Sequence, residues 1–76
     1  MNRPRTGVLS IANGSRTFAC TLQRSSASGT NAKLEATASV PRQLEVDDGT
    51  TKRSATVVWR RTGVLGLRYD DYFRAR

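Results

Sequence analysis

Few residues of this chain could perform acid–base, nucleophilic or metal chemistry. The sequence contains no histidine and a single cysteine, Cys20, so no imidazole is present to activate the thiol. The acid pairs Asp47-Asp48 and Asp70-Asp71 both fall in turn-like segments, and no cluster has the spacing of metal ligands. A glycine-rich phosphate-binding loop is also absent from the sequence. We therefore predict that the protein is not an enzyme and holds no metal or cofactor.

Positive charge is the strongest signal in the composition. Thirteen Lys and Arg residues against six Asp and Glu give a net charge of +7, scattered from Arg3 to Arg76. Such a balance favours an anionic partner, which could be a nucleotide, a nucleic acid, an acidic protein face or an anionic membrane surface. A basic surface without a dedicated partner is the alternative interpretation.

The length of the chain and its apolar pattern limit its architecture. With 76 residues there is room for one domain, and a closed or nearly closed β-barrel suits this size because the sheet folds on itself. Cys20 lies in an alternating apolar run, where we expect a small buried hydrophobe in a reducing compartment. The sequence has no apolar run of signal-peptide or membrane-spanning length, and we expect a cytoplasmic protein without a membrane span.

Alternation and turn signals predict an all-β domain. Asn13-Gly14 is a strong hairpin signal because both residues tolerate positive φ, and Asp48-Gly49 and Thr62-Gly63 mark two further hairpins. The predicted strands cover residues 7–12, 16–24, 32–36, 42–46, 51–61 and 64–69. Residues 25–31 are rich in Ser and Gly without periodicity, and are predicted to form a loop.

The alternation also predicts which side chains face inward. The expected inward residues are Phe18, Cys20, Leu22, Leu34, Leu44, Val57 and Leu67. Trp59 is expected to share the core face with Ala55 and Val57, although an exposed indole could instead stack on a base. The basic residues near this strand could form a stripe, which we interpret as a solvated face that protects a strand edge from pairing. They are Lys52, Arg53, Arg60, Arg61 and Arg68.

Two segments together resemble a known family. Residues 20–35, CTLQRSSASGTNAKLE, read as a strand, a loop with a Ser-x-x-Gly motif and a second strand. Residues 54–70, SATVVWRRTGVLGLRYD, read as a Val-Val-Trp-Arg strand and a short turn into Gly-Leu-x-Tyr. This combination resembles the PilZ family, small β-barrels of which many bind the bacterial second messenger cyclic di-GMP. The resemblance implies a six-stranded antiparallel barrel at residues 7–70. The polar residues 1–6, with Pro4 between two arginines, are predicted to form a flexible basic arm, and the tail at 71–76 to form a helical turn or an unstructured segment.

The resemblance also implies a nucleotide site. PilZ proteins that bind cyclic di-GMP use Arg-x-x-x-Arg before the first strand and Asp/Asn-x-Ser-x-x-Gly between the second and third strands. Arginine forks suit the guanine O6 and N7 acceptors and the phosphates, the carboxylate or amide accepts a hydrogen bond, and Gly allows close backbone approach. On this chain the implied nucleotide contacts are Arg3, Arg5, Arg24, Ser26, Ser28 and Gly29.

The chain departs from both motifs. Arg3 and Arg5 have the spacing Arg-x-Arg rather than Arg-x-x-x-Arg. Counted from Cys20, the loop places Ser26 and Gly29 on the motif and puts Arg24 where Asp or Asn belongs. An arginine cannot accept a hydrogen bond, so the hydrogen-bond polarity at that position is reversed.

A second register of the loop is also open. Counted back from residues 32–35, Ser28 becomes the motif serine, Asn31 stands in place of the glycine and Ser26 in place of the acid or amide. Neither register supplies the acceptor. The sequence therefore predicts a PilZ-like regulatory module whose binding of cyclic di-GMP is weakened or lost and which acts through a protein partner.

A hypothesis of another class remains. The +7 charge also suits a small basic β-barrel that binds nucleic acid through its backbone phosphates. Aromatic residues suitable for base stacking are scarce in the sequence, which favours the first hypothesis.

Overall fold

The computed structural model of the protein describes residues 5–11, 14–35 and 37–73, with only the backbone of residues 72 and 73. The six strands are β1 (Arg5–Ile11), β2 (Arg16–Gln23), β3 (Gly29–Lys33), β4 (Gln43–Asp47), β5 (Lys52–Arg61) and β6 (Val64–Tyr69). All neighbouring strands pair antiparallel and close into a barrel in the order β1-β2-β3-β6-β5-β4. The predicted six-stranded antiparallel barrel is confirmed. Short 3-10 turns lie at Thr37–Ser39 and Asp70–Phe73.

The three strand pairs predicted to form hairpins are each paired antiparallel. Gly63 has φ = 87° and completes a two-residue turn between the last residue of β5 and the first residue of β6. Gly49 has φ = 91° between β4 and β5, where a glycine avoids the steric penalty of the left-handed region. β1 and β2 form the third hairpin, which closes at the pair Ile11–Arg16, while Asn13 lies outside the described residues.

The interior of the barrel is built from the inward residues of all six strands. Leu9, Leu22, Leu65 and Val46 are its largest fully buried side chains. Of the predicted inward residues, five are buried and two, Phe18 and Leu34, are half-buried against this core. The five buried ones are Cys20, Leu22, Leu44, Val57 and Leu67.

Two strands, β1 and β3, begin more than one residue before their predicted starts, and β3 also ends at Lys33 rather than at residue 36. β1 begins at Arg5, two residues before the predicted strand. β3 begins at Gly29, so residues 29–31 belong to a strand rather than to the predicted loop. This start was not predicted because Ser and Gly are more typical of loops than of strands. Thr30 is buried on the inner face, and its hydroxyl donates a hydrogen bond to the carbonyl oxygen of Gln23 at 3.0 Å, as a buried polar group requires.

The prediction that Trp59 lies in the core is wrong. Trp59 is 41% exposed and Val58, its neighbour, is 47% exposed. A β-bulge lies between Val57 and Trp59, because Val57 pairs with Leu67 while Trp59 pairs with the preceding residue, Gly66. One extra residue on β5 reverses its inward–outward alternation, which turns the indole to the outer face.

The basic residues of β5 do not form one stripe. Arg53 lies at one end of the barrel, where its guanidinium carbon is 3.8 Å from the Tyr69 ring centroid and its Nη2 donates to Asp71 at 2.8 Å. Arg60 lies at the other end, where its Nη1 donates to the carbonyl oxygens of Thr37 at 2.6 Å and Val40 at 2.9 Å. β5 is paired with a strand on each side, so the edge-protecting interpretation is also wrong.

Candidate ligand and partner surface

The β2–β3 loop is a compact turn held by its own polar groups. Arg24, which follows β2, has φ = 55°, in the left-handed region that a non-glycine residue seldom adopts. The Ser26 amide donates to the carbonyl oxygen of Gly29 at 2.8 Å, and the Ser28 amide donates to the Ser26 hydroxyl at 3.3 Å. The two serine hydroxyls lie 3.1 Å apart and are exposed. The loop therefore presents hydroxyl groups and a guanidinium to solvent.

Gly29 ends the loop at a point where no side chain would fit. A β-carbon at this position would overlap the carbonyl oxygen of Leu67 on β6, which is a backbone atom and cannot rotate away. Asn31, in contrast, lies within β3 and pairs with Gly66. The fold therefore requires a glycine at residue 29, whereas residue 31 accommodates a side chain.

A depression of about 340 Å³ adjoins this loop. Four of the six residues named from the sequence, Arg24, Ser26, Ser28 and Gly29, lie together on its wall. The remaining lining residues come from β3, β5 and β6 and are Thr30, Asn31, Val58, Leu67 and Arg68. Two guanidinium groups and two serine hydroxyls on one concave surface are groups that can donate hydrogen bonds to an anion or another acceptor.

The N-terminal arginines are not brought to this depression. Arg5 is not among its lining residues, and its Nη1 lies 3.9 Å from a carboxylate oxygen of Asp48 in the β4–β5 turn. Hydrogen bonds from the backbone amides of Thr51 and Thr50 hold the pKa of Asp48 below its usual value, and the charge of Arg5 adds a smaller effect in the same direction. Arg3 lies outside the described residues.

A second depression, of about 360 Å³, lies on the other side of the bulge. Its lining residues are Arg42, Val57, Val58, Trp59 and Arg60. Val58 lines both depressions. Sequence reasoning missed Val58 and Arg42. The available signal was the run Val57-Val58-Trp59, because three consecutive apolar residues cannot all face the interior of a regular strand.

Two further chemical features of the described residues are their metal-ligating groups and the Cys20 thiol. Among them, no group of three or more His, Cys, Asp or Glu side chains could hold a metal ion. Burial raises the pKa of the Cys20 thiol to about 11, so this group stays protonated at neutral pH.

Comparison of the chain with protein-family models, with curated proteins and with solved structures gave no significant match. The PilZ resemblance remains a prediction that rests on the residues of this chain. The part of the chain that the structure describes contains no helix long and apolar enough to cross a membrane.

Proposed function

We propose that this protein is a PilZ-like regulatory domain of the cyclic di-GMP receptor type, in which nucleotide binding is weak or lost. The observation that supports this most directly is the depression beside the β2–β3 loop. It gathers Arg24, Ser26, Ser28 and Gly29. In the register counted from Cys20, Arg24 stands where the hydrogen-bond acceptor of the motif belongs. The proposal places the protein in the cytoplasm, without a membrane span.

Loss of affinity follows from two features of the site. A guanidinium at position 24 can only donate, so the guanine edge that a carboxylate or amide would bind faces a group of the same polarity. Arg5, the one described arginine of the N-terminal pair, lies beside Asp48 instead of the depression. When two donors face each other, both lose their hydrogen bonds to water without gaining a new one, and this desolvation lowers the affinity for the ligand.

A domain of this kind would act by docking to another protein. Its guanidinium-lined depression and exposed apolar side chains suit a protein partner better than a nucleotide. Val58 and Trp59 are exposed but have no role in the implied nucleotide contacts.

Titration of cyclic di-GMP into isotopically labelled protein, followed by backbone amide shifts, tests this proposal. The expected result is no saturation at micromolar nucleotide. Saturation at micromolar or tighter concentrations, with shifts confined to residues 1–6 and 24–31, would contradict the loss of binding. Equal shifts with GTP, spread over the basic surface, would mean that charge alone attracts nucleotides.

The second candidate function is nucleic-acid binding through phosphates, which the net charge of +7 favours. Such binding weakens steeply with salt, with a slope in proportion to the number of phosphates contacted. A mixed oligonucleotide that produces no amide shifts at low salt would exclude this candidate.

A further inference from the structure

The bulge on β5 places two apolar side chains on the outside of a barrel whose other described large hydrophobic residues are at least half-buried. Val58 is the extra residue of the bulge, and its side chain lines both depressions. Trp59 follows it and lies on the same outer surface. We call Val58, Trp59 and the two adjoining depressions the bulge surface. Adjacent exposed aromatic and aliphatic side chains are typical of the buried centre of a protein interface.

Arginines surround these apolar side chains. Arg24 and Arg68 line the depression on the loop side of Val58, and Arg42 and Arg60 line the other. The guanidinium carbon of Arg61 lies 5.5 Å from the centroid of the Trp59 ring. Among the described residues, neither depression is lined by an Asp or Glu side chain. The surface therefore combines an apolar centre with a positively charged rim.

We propose that the bulge surface binds a short acidic segment of a partner protein, in which apolar side chains alternate with Asp or Glu. The apolar side chains would pack on Val58 and Trp59, and the carboxylates would pair with the rim arginines, whose forked donors match a carboxylate. This inference deepens the proposed docking function by naming its surface and the chemistry of its partner.

Charge and geometry disfavour two other occupants. A second copy of this chain would bring one arginine rim against another, and like charges oppose such contact. A nucleic acid would pair its phosphates with the arginine rim, but this rim surrounds an apolar centre. Val58 offers nothing to a phosphate backbone. Both occupants remain outcomes of the test.

The test uses the whole chain and a short fluorescein-labelled peptide in which Asp and Glu alternate with Leu and Phe, followed by fluorescence anisotropy at about 150 mM salt. Two further probes are a peptide of the same charge with Ser in place of Leu and Phe, and a single-stranded oligonucleotide of equal charge. We expect the acidic apolar peptide to bind at least about tenfold more tightly than the serine peptide, because the apolar centre supplies most of the affinity.

Val58→Asp is the decisive variant, and Ala19→Asp is its matched control. Ala19 is exposed on β2, pairs with Val8 of β1 and lines neither depression. Ala19→Asp therefore changes the net charge by the same amount as Val58→Asp, but away from the bulge surface. We expect Val58→Asp to weaken peptide binding by about tenfold or more, and Ala19→Asp to change it less than about threefold. Val58→Thr, which keeps the shape and β-branching, should weaken it by an intermediate factor.

Several results would overturn the inference. Equal binding of the serine peptide, tighter binding of the oligonucleotide, or an equal loss in Ala19→Asp would each show that charge alone is responsible. Concentration-dependent self-association abolished by Val58→Asp would assign the surface to a second copy. A folded Val58→Thr that binds like the parent would also contradict it. The cyclic di-GMP titration is independent, since tight nucleotide binding would overturn the proposed function whatever the peptides do.

Discussion

The indole of Trp59 lies against Gly66 on the outer face of the barrel, where β5 and β6 pair beside the bulge. A β-carbon at Gly66 would overlap the pyrrole part of the indole. The glycine therefore makes room for the aromatic ring, and the ring in turn covers the exposed backbone that a glycine leaves in a strand. The position of Trp59 on the bulge surface depends on this pair.

Replacing Gly66 with Ala should displace the indole and destabilise the fold. We expect a loss of about 1–3 kcal/mol in the free energy of unfolding, the usual cost of an added group in a filled space. Chemical denaturation measures this loss, and a red shift of the native tryptophan fluorescence would report the displaced ring. In the Trp59→Ala background, the same Gly66→Ala change should cost less than about 0.5 kcal/mol, since the obstructing ring is gone. Additive costs in this double-mutant cycle would contradict the pairing.

Gly29 should be even less tolerant of substitution. The β-carbon of an alanine would overlap the carbonyl oxygen of Leu67, and only a shift of β3 relative to β6 could relieve the overlap. We expect Gly29→Ala to lower the free energy of unfolding by about 2–4 kcal/mol.

The neighbouring Ser28 offers the control. Its hydroxyl is exposed and pairs with that of Ser26, so Ser28→Ala should change the free energy of unfolding by less than about 0.5 kcal/mol. Similar stability losses for the two variants would mean that the loop as a whole, rather than the close approach at Gly29, is sensitive.

Burial of Cys20 should make stability depend on alkaline pH. Desolvation raises the pKa of its thiol from 9.0 to about 11, so the unfolded chain ionises first as the pH rises. The stabilising effect is complete below pH 9.0 and is lost progressively as the pH rises through about 11. Burial raises the pKa of Tyr69 as well, which adds a loss in the same direction.

Denaturation midpoints between neutral pH and about pH 11 would measure this effect. Cys20→Ala should be less stable at neutral pH but should show a shallower decline above pH 9.0, because the residual decline comes from Tyr69 and other groups. Native Cys20 should also react slowly with iodoacetamide compared with the unfolded chain. Parallel stability curves for the parent and Cys20→Ala would contradict the pKa shift.

Local patterns predicted much of the barrel because the turn residues and the alternating side chains of each hairpin lie close together in the sequence. Gly49 and Gly63 adopt the positive φ that their turns require, and the alternation of Phe18, Cys20 and Leu22 gave the inner face of β2 correctly. These features depend on residues close in sequence, so a short window contains the information.

The errors came from details of strand pairing that the alternation of side chains does not contain. β5 pairs with β6 on both sides of Val58, and Val58 is the one residue of β5 without a partner in this pairing. This single extra residue determines that Trp59 lies on the outer face. The start of β3 at Gly29 likewise depends on its close approach to Leu67 of β6. Gly66 pairs with both Trp59 and Asn31. A glycine within a predicted strand was the signal in the sequence that a neighbouring large side chain, here Trp59, lies over it.

Replacing Arg24 with Asn should affect both stability and ligand binding. Arg24 has φ = 55°, where Asn is among the most favourable non-glycine residues, so we expect Arg24→Asn to raise the free energy of unfolding by about 0.5 kcal/mol. The amide would also supply the acceptor that the implied nucleotide motif requires. We therefore expect the affinity for cyclic di-GMP to rise by about tenfold, a typical effect of satisfying one unpaired polar group, while that for GTP does not rise.

Arg24→Gln separates the two effects. It removes the same charge and adds the same amide on a longer side chain, without the preference of Asn for positive φ. We expect the stability gain to be absent in Arg24→Gln and the gain in nucleotide affinity to be smaller than in Arg24→Asn. Calorimetric titration with cyclic di-GMP and with GTP would measure the affinities, and denaturation the stability. If both variants lose affinity for cyclic di-GMP relative to the parent, Arg24 itself holds the phosphates, and the assumption that position 24 needs an acceptor is wrong.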